Sequence, residues 1–584
     1  MKRPISLSAA PKSLLTLVLL TSLLTACGGG DGHPVPSMLP ATPGNPNTGG
    51  PPPNSGSSTT TTFGPVTPTP GASTASFVVP QCTSCAALSP TLYSGSGTGI
   101  WSITNNGTAI QQVPVNISGL KGQTVRLIFS NATDASVDTT SFVTLLSATP
   151  ATAKAQVAAP GTSSTSMAAV TEFNHTGFIA LLGQQRSGPA AVRKSPPPPN
   201  TFALGATRQW FDKDGVVRNT TLLRQGTTGD GTIVDLWVED SENITSRVSP
   251  SIDDSLFASY TRAGGVYDIL TSMGGPLWGP QTLSPALIPA NQPINLVVLN
   301  FDNNQQPGGT IGYFYALNNF LSSTQGAALS NNAITLFLDS ETMYLGGQTG
   351  MTAITTAMAH ESTHMQNFYR RDVLIGPTFA YDTWLEEQTA MMMEDWASFN
   401  LNPSYNNVRD TRAPNYVQEA SYKCSLINFD VASATCDSYS VNGSFGGFLD
   451  RQLGLAFYKD LLNRHDSTDS QTVLDNAIRA ANASASLAAE FDRFSVTTDA
   501  LVPAANAPAG YNFPARDEGG FSLPAIDPSS FAKLLPASTT APTAAAPSAI
   551  DAFAGFPMIR AKGTGTYGDG LPVPPGVTMS VVIY

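Results

Sequence analysis

The sequence predicts a multidomain chain: an N-terminal β-sandwich-like domain, then an α+β domain, then a helical C-terminal subdomain. Three observations carry that reading. Short alternating apolar runs separated by turn residues fill about residues 76–190; from Thr201 strand-like runs mix with helical periods; and beyond Cys436 the apolar spacing becomes helical. With 584 residues and 41% apolar content, the chain has material for two to four domains with cores of their own.

The elements follow in order. Lys2, Arg3 and Lys12 precede an apolar stretch, Leu14 to Leu24, that is too short to span a bilayer and ends in Leu24-Thr25-Ala26-Cys27. This resembles the lipobox of bacterial lipoproteins, which implies a signal peptide over 1–26, cleavage before Cys27 and lipid attachment to its sulfur. An ordinary signal peptide with a chance cysteine is the competing reading. Residues 27–75 are Gly, Pro, Ser and Thr with little to bury and read as a disordered tether. The β-sandwich-like domain is expected over 76–195, with runs at Ile100–Thr104, Gln112–Ile117, Thr124–Phe129 and Phe142–Leu146. Gly119-Leu120-Lys121-Gly122 reads as one of its turns, and Pro196 to Pro199 as a stiff spacer.

The α+β domain is expected over 200–410. Its runs are Arg208–Phe211 and Val216–Asn219 around an Asp212-Lys213-Asp214-Gly215 turn, Thr232–Val238, a helical Asp254–Met273, Ile294–Phe301 and Ile334–Leu338. A long helix at about Thr352–Arg371 and a second at Trp384–Ser398 complete it. The Asp212 stretch could also open a calcium loop, but the remaining ligands are missing. The helical subdomain is expected over 411–500, and 501–584 as a Pro/Ala-rich segment closing in a strand, Val577–Ile583.

Charge and cysteines narrow the setting. A net charge of −12 with no basic run argues against nucleic acid as a partner. With Cys27 assigned to lipid, four cysteines remain, and their spacing suggests two local disulfides, Cys82–Cys85 and Cys424–Cys436, in an oxidising compartment. Structural zinc on Cys82 and Cys85 would need a second ligand pair, which is not nearby.

Chemistry concentrates in His360-Glu361-Ser362-Thr363-His364. The chain has only five histidines, so the odds of this word arising by chance are about 1 in 1,000. On a helix the two imidazoles point the same way and can share a metal, while Glu361 handles a proton. They sit where the apolar arc of the helix meets its polar arc, as a helix lining a cleft requires. A catalytic zinc site wants a third protein ligand. A third histidine six residues past His364 is excluded, because Arg370 stands there and Asn367 occupies the position of that pattern's glycine. Glu386 and Glu387 remain. Thr383-x-x-Glu386 fits a capping box, which gives Glu386 a structural task and leaves Glu387 as the expected third ligand. Glu394, two turns on along the same face, is expected either to orient a metal-bound imidazole or to make a surface ion pair.

The His360–His364 word followed by Trp384-Leu385-Glu386-Glu387 resembles the gluzincin zinc peptidases. Gly312-Tyr313-Phe314 and Ser330-Asn331 leading into Ile334–Asp339 narrow the resemblance to hyicolysin-type bacterial metallopeptidases, over roughly residues 200–465. Glu386 and Gln388 depart from the Asn and Gly usual around that glutamate. The resemblance implies a zincin-like catalytic domain in which Zn2+ on His360, His364 and Glu387 activates water and Glu361 acts as proton shuttle. Absence of a Gly-x-Met-Glu-Asn motif favours an endopeptidase. Tyr439 and His465 are candidates for oxyanion stabilisation, and Ile334–Leu338 is a candidate edge for an added substrate strand. The expected protein is therefore an exported, surface-anchored monomer acting on proteins or peptides, with the membrane met through lipid only. A non-catalytic adhesin or binding lipoprotein on the same scaffold is the alternative.

Overall fold

A computed structural model describes residues 87–89, 91–93, 97–139, 165–183, 201–430, 433, 435–535 and 547–584. The signal peptide, the tether, Cys27, Cys82, Cys85, Phe142–Leu146 and Pro196–Pro199 lie outside these residues.

The strand-rich part is built from both ends of the chain. Strands β1 (Ala87–Ser89), β2 (Leu92–Tyr93), β3 (Gly99–Thr104) and β4 (Gln111–Asn131) come from the N-terminal side, with a short β5 (Val137–Asp138) after them. While β5 pairs with Ala549–Ile550 in a separate two-stranded sheet, β1 to β4 are hydrogen-bonded into one six-stranded sheet with two late strands, the 20-residue Ala554–Val573 and Val577–Ile583. The last of these lies between β3 and β4, pairing Val581 with both Trp101 and Leu127. A domain boundary at 195 therefore cuts through a sheet, and the closing strand expected at 577–583 belongs to its middle. The Gly119–Gly122 turn is also corrected. β4 runs through it for 21 residues, about 70 Å at the rise of a strand. Gly119 and Gly122, both at positive φ, fall opposite register shifts in the partner strand, so the pair bends together instead of reversing.

The second sheet has the order β10-β11-β9-β8-β7-β6, from β6 (Thr207–Phe211), β7 (Val217–Thr227), β8 (Ile233–Glu239), β9 (Ile294–Leu299), β10 (Gly312–Phe314) and β11 (Ile334–Asp339). β8, β9 and β11 are parallel, and β9 and β11 are buried throughout, which explains their unbroken apolar runs. The Asp212 turn is a hairpin, with Asp212 Oδ1 accepting from the N–H groups of Asp214 and Val216. Ile334–Leu338 is not an edge: β10 pairs antiparallel outside it and is the edge strand on this side.

Before β6 stands a short helical segment, α1 (Thr165–Glu172), a π turn (Phe173–Gly177) and α2 (Ile179–Leu182). The helix expected over Asp254–Met273 is two, α3 (Pro250–Thr261) and α4 (Val266–Gly274), broken where Gly264 takes φ +69°. From β11 the chain turns at once into α5 (Ser340–Leu345), whose first turn is capped by Asp339 through Thr342. It then enters α6 (Gly347–Asn367), which carries both site histidines and continues as a π turn to Ile375. The close approach of α5 and α6 needs Gly350, where a Cβ would stand 1.9 Å from the Thr342 carbonyl oxygen.

Helix α7 (Thr383–Leu401) returns beside α6 and is held from behind by the helical subdomain: α8 (Ala413–Gln418), α9 (Ser438–Leu453), α10 (Leu455–Asn463), α11 (Ser470–Ala481) and α12 (Leu487–Asp499). Two buried contacts fix α7 there, Arg451 on Asp395 at 2.5 Å and the Tyr458 hydroxyl donating to the Thr389 carbonyl at 2.8 Å. The expected Cys424–Cys436 disulfide is present. Among the described residues no helix is long and apolar enough to cross a membrane.

Candidate metal centre

Helix α6 presents His360 and His364 on one face, one turn apart, with ring centroids 4.7 Å apart. Helix α7 brings Glu387 against both: its Oε2 lies 3.2 Å from His360 Nε2 and 3.7 Å from His364 Nε2. One donor atom from each residue falls within 4.8 Å of the others, and all three residues are buried. Two imidazole nitrogens and a carboxylate oxygen converging on one point are a donor set suited to zinc.

The other nitrogen of each ring is also held. His360 Nδ1 meets Glu394 Oε1 at 2.9 Å, and Glu394 is in turn bound by Arg412 Nη2 at 3.1 Å, all of them buried. His364 Nδ1 meets Glu386 Oε1 at 2.9 Å, and both oxygens of Glu386 accept from the Asn367 amide, at 3.1 and 3.0 Å. Arg370 closes this chain on Asn367 Oδ1 at 2.8 Å. A carboxylate on Nδ1 fixes the ring so that Nε2 faces the convergence point, and this partner is typical of metal-ligating histidine.

One sequence expectation changes here, and one left open between two readings is narrowed. Glu386 does not cap α7, whose flanking Asp382 makes no side-chain cap either; it is drawn to His364 and Asn367 instead. The imidazole and carboxamide of the facing helix satisfy Glu386 in a way a local capping box cannot anticipate. Glu394 is the buried partner of His360, not a surface charge. Asn367, the companion of Glu386, and Arg412, the companion of Glu394, carried no sequence signal for these tasks, since they depend on how α6, α7 and the turn at 408–412 meet.

Electrostatics favour a cation at this point. Burial opposes charge on His360, but Glu394, with Glu387 and Glu361, prevails and pushes the imidazole up to about 10. His364 is raised likewise, Glu387 and Glu386 outweighing burial. Burial would raise the Glu394 carboxyl, yet Arg412 and His360 hold it below the usual range. Four carboxylates, Glu361, Glu386, Glu387 and Glu394, thus crowd two imidazoles and the guanidinium of Arg412.

Glu361 lies on the sheet side of α6, and its Oε2 accepts the Phe314 N–H of edge strand β10 at 2.9 Å. A cleft with about 570 Å³ of empty space, partly open to solvent, runs past His364, Glu387 and Phe314 and is walled by Tyr381, Phe368 and the α1 segment. Tyr439 and His465 are not in its lining. The Tyr439 ring packs on Phe429 and under the Arg412 guanidinium, one layer behind the histidines. His465 is exposed and contacts the Asn463 carbonyl and the Phe379 ring.

A mixed sheet with an antiparallel edge strand, a His-Glu-x-x-His helix and a carboxylate from the next helix together define a candidate metal-dependent hydrolytic site. The family model described as Peptidase M30 matches residues 214–584, and the chain belongs to this family, the hyicolysin family of metallopeptidases. A second model, a domain of unknown function (DUF8571), matches residues 80–145. No curated protein matches the chain.

Proposed function

We propose that the protein is a zinc metalloendopeptidase with a zincin-like catalytic domain, in which His360, His364 and Glu387 hold the metal and Glu361 moves the proton. The observation that carries this is the convergence of two Nε2 atoms and one Glu387 oxygen within 4.8 Å, each imidazole backed by its own carboxylate. A zinc ion held there supplies Lewis acidity toward a carbonyl and a water of lowered pKa. The residues of the chain do the rest. Glu361 stands one helical step from His360, where it can take a proton from water and deliver it to the leaving amine. Edge strand β10 offers backbone groups for an extended peptide, which it would bind as one more strand. Glu394 and Glu386 keep the imidazoles oriented, and Tyr439 supports Arg412 behind Glu394.

The lipobox-like Leu24–Cys27 supports a lipid-anchored, exported form, and the Cys424–Cys436 disulfide suits an oxidising compartment. The sheet shared by residues 99–131 and 554–583 supports a strand-rich domain built by both chain ends around the catalytic unit. Membership of a peptidase family disfavours the adhesin reading. The test is metal analysis with casein cleavage. Wild type is expected to carry one zinc per chain, and Glu361→Gln to keep it while losing about 10²- to 10⁴-fold in rate. A wild type without stoichiometric zinc, or a Glu361→Gln variant as active as wild type, overturns the proposal.

A further inference from the structure

The segment Thr165–Leu182 lies across the part of the cleft that a substrate would use. Along β10, Tyr313 pairs with Phe337 of β11 while the Phe314 N–H goes outward to Glu361, so the backbone of Phe314 faces away from β11, and, two residues on, Ala316 opens a 3-10 turn, Ala316–Asn319. These outward groups are taken. The Asn174 carboxamide donates from Nδ2 to the Phe314 carbonyl at 2.8 Å and accepts at Oδ1 from the Ala316 N–H at 2.8 Å. One side chain thus takes the edge carbonyl that an added strand would bond with its own N–H, and ties the segment to the turn just past the strand.

The rest of the segment walls the cleft. Met167, Val170, Thr171 and His175 line it together with His364, Glu386 and Glu387, and Met167 and Val170 are buried in the core cluster that holds Trp210 and Tyr313. Phe173 sets its ring edge-on to Tyr315 and Phe320, and Phe178 does the same to Phe368 at the end of the histidine helix. His175 reaches Asp382, at the start of α7, at 4.0 Å. The segment also lies between the two family matches, which end at 145 and begin at 214, and so outside the peptidase region they define.

We infer that residues 165–183 are an internal inhibitor: they cover the substrate edge of β10 and form one wall of the cleft beside Glu387, and must move away before a protein substrate can bind along that edge. This rests on the proposed peptidase reading of the site. It predicts that the intact chain has low activity that rises when the segment is loosened or released, with no change in the metal centre.

The test uses the zinc-loaded full chain in two forms. Asn174→Ala removes the contact to the edge strand and the one to the turn past it, and is expected to raise the initial rate of casein cleavage about tenfold, the scale of two lost hydrogen bonds. The second form carries recognition sequences for a site-specific protease substituted within 150–160 and 186–193; cutting both severs the segment from the chain with residues 165–183 unchanged in sequence and is expected to raise the rate further. A Glu361→Gln copy of the doubly cut form controls for the site. If the cut and uncut chains cleave equally fast and Glu361→Gln abolishes both, the peptidase reading stands and the inhibitor is refuted. Loss of activity on Asn174→Ala and on cutting, with zinc retained, also refutes it, by making the segment part of the working site. A zinc-loaded cut chain that cleaves no peptide overturns the peptidase reading, and this inference with it.

Discussion

Glu386 and Glu387 are adjacent in sequence, both within contact of a site histidine, and the proposed site gives them different tasks that zinc affinity can separate. Glu387 Oε2 stands 3.2 and 3.7 Å from the two Nε2 atoms, on the side where the ring nitrogens converge. Glu386 meets only His364 Nδ1, on the far side of that ring, and its oxygens are already engaged by Asn367. Zinc bound by protein ligands is worth about 10–16 kcal/mol in small structural sites, so one of three ligands carries about 3–5 kcal/mol. Converted at 1.4 kcal/mol per decade, Glu387→Gln is expected to weaken zinc by about 10²- to 10⁴-fold. Glu386→Gln keeps a hydrogen-bonding group on Nδ1 and removes only its charge. It is expected to cost about 10- to 100-fold, the usual scale for a partner of a metal-bound histidine. Competition against a chromophoric chelator at fixed pH measures both. Equal losses, or a larger loss in Glu386→Gln, would refute the assignment of Glu387 as the ligand.

Other consequences follow from buried charge. Replacing Arg412 by Leu leaves Glu394 buried without its guanidinium, and should destabilise the fold by about 3–5 kcal/mol in urea unfolding; an effect under about 1 kcal/mol would mean that Glu394 finds another partner. Asp499, at the end of α12, is buried and accepts from the Tyr416 hydroxyl at 2.9 Å, and burial pushes its carboxyl up to about 8. A carboxyl held above its unfolded value near 4 is protonated in the native state while the unfolded chain has released the proton. Its stabilising contribution is therefore full below about pH 4 and is lost as pH rises through about 8. Asp499→Asn should flatten the fall in stability between those limits, read as Tm against pH; an unchanged slope would place the titration elsewhere.

The sequence by itself determined the local chemistry. Two histidines one turn apart, a glutamate between them and a Trp-Leu-Glu-Glu start to the next helix are statements about 3.6-residue periodicity, and they survive any packing. The strong apolar runs of β9 and β11 were legible for the same reason, since a strand buried on both faces shows in its composition. Gly119–Gly122 misled because glycine marks both a reversal and a shared bend, and only the partner strand distinguishes them. Local reasoning also named Glu387 through a cap that Glu386 does not make. The tertiary structure decided what depends on meeting elements: that Glu386 faces His364, that Glu394 is charged and buried because Arg412 reaches it, that β10 is the edge, that Asn174 sits on that edge, and that the last strand closes a sheet begun more than 400 residues earlier. Each is a contact between residues distant in sequence, whose energy depends on distance and burial, and neither is written in the order of the residues.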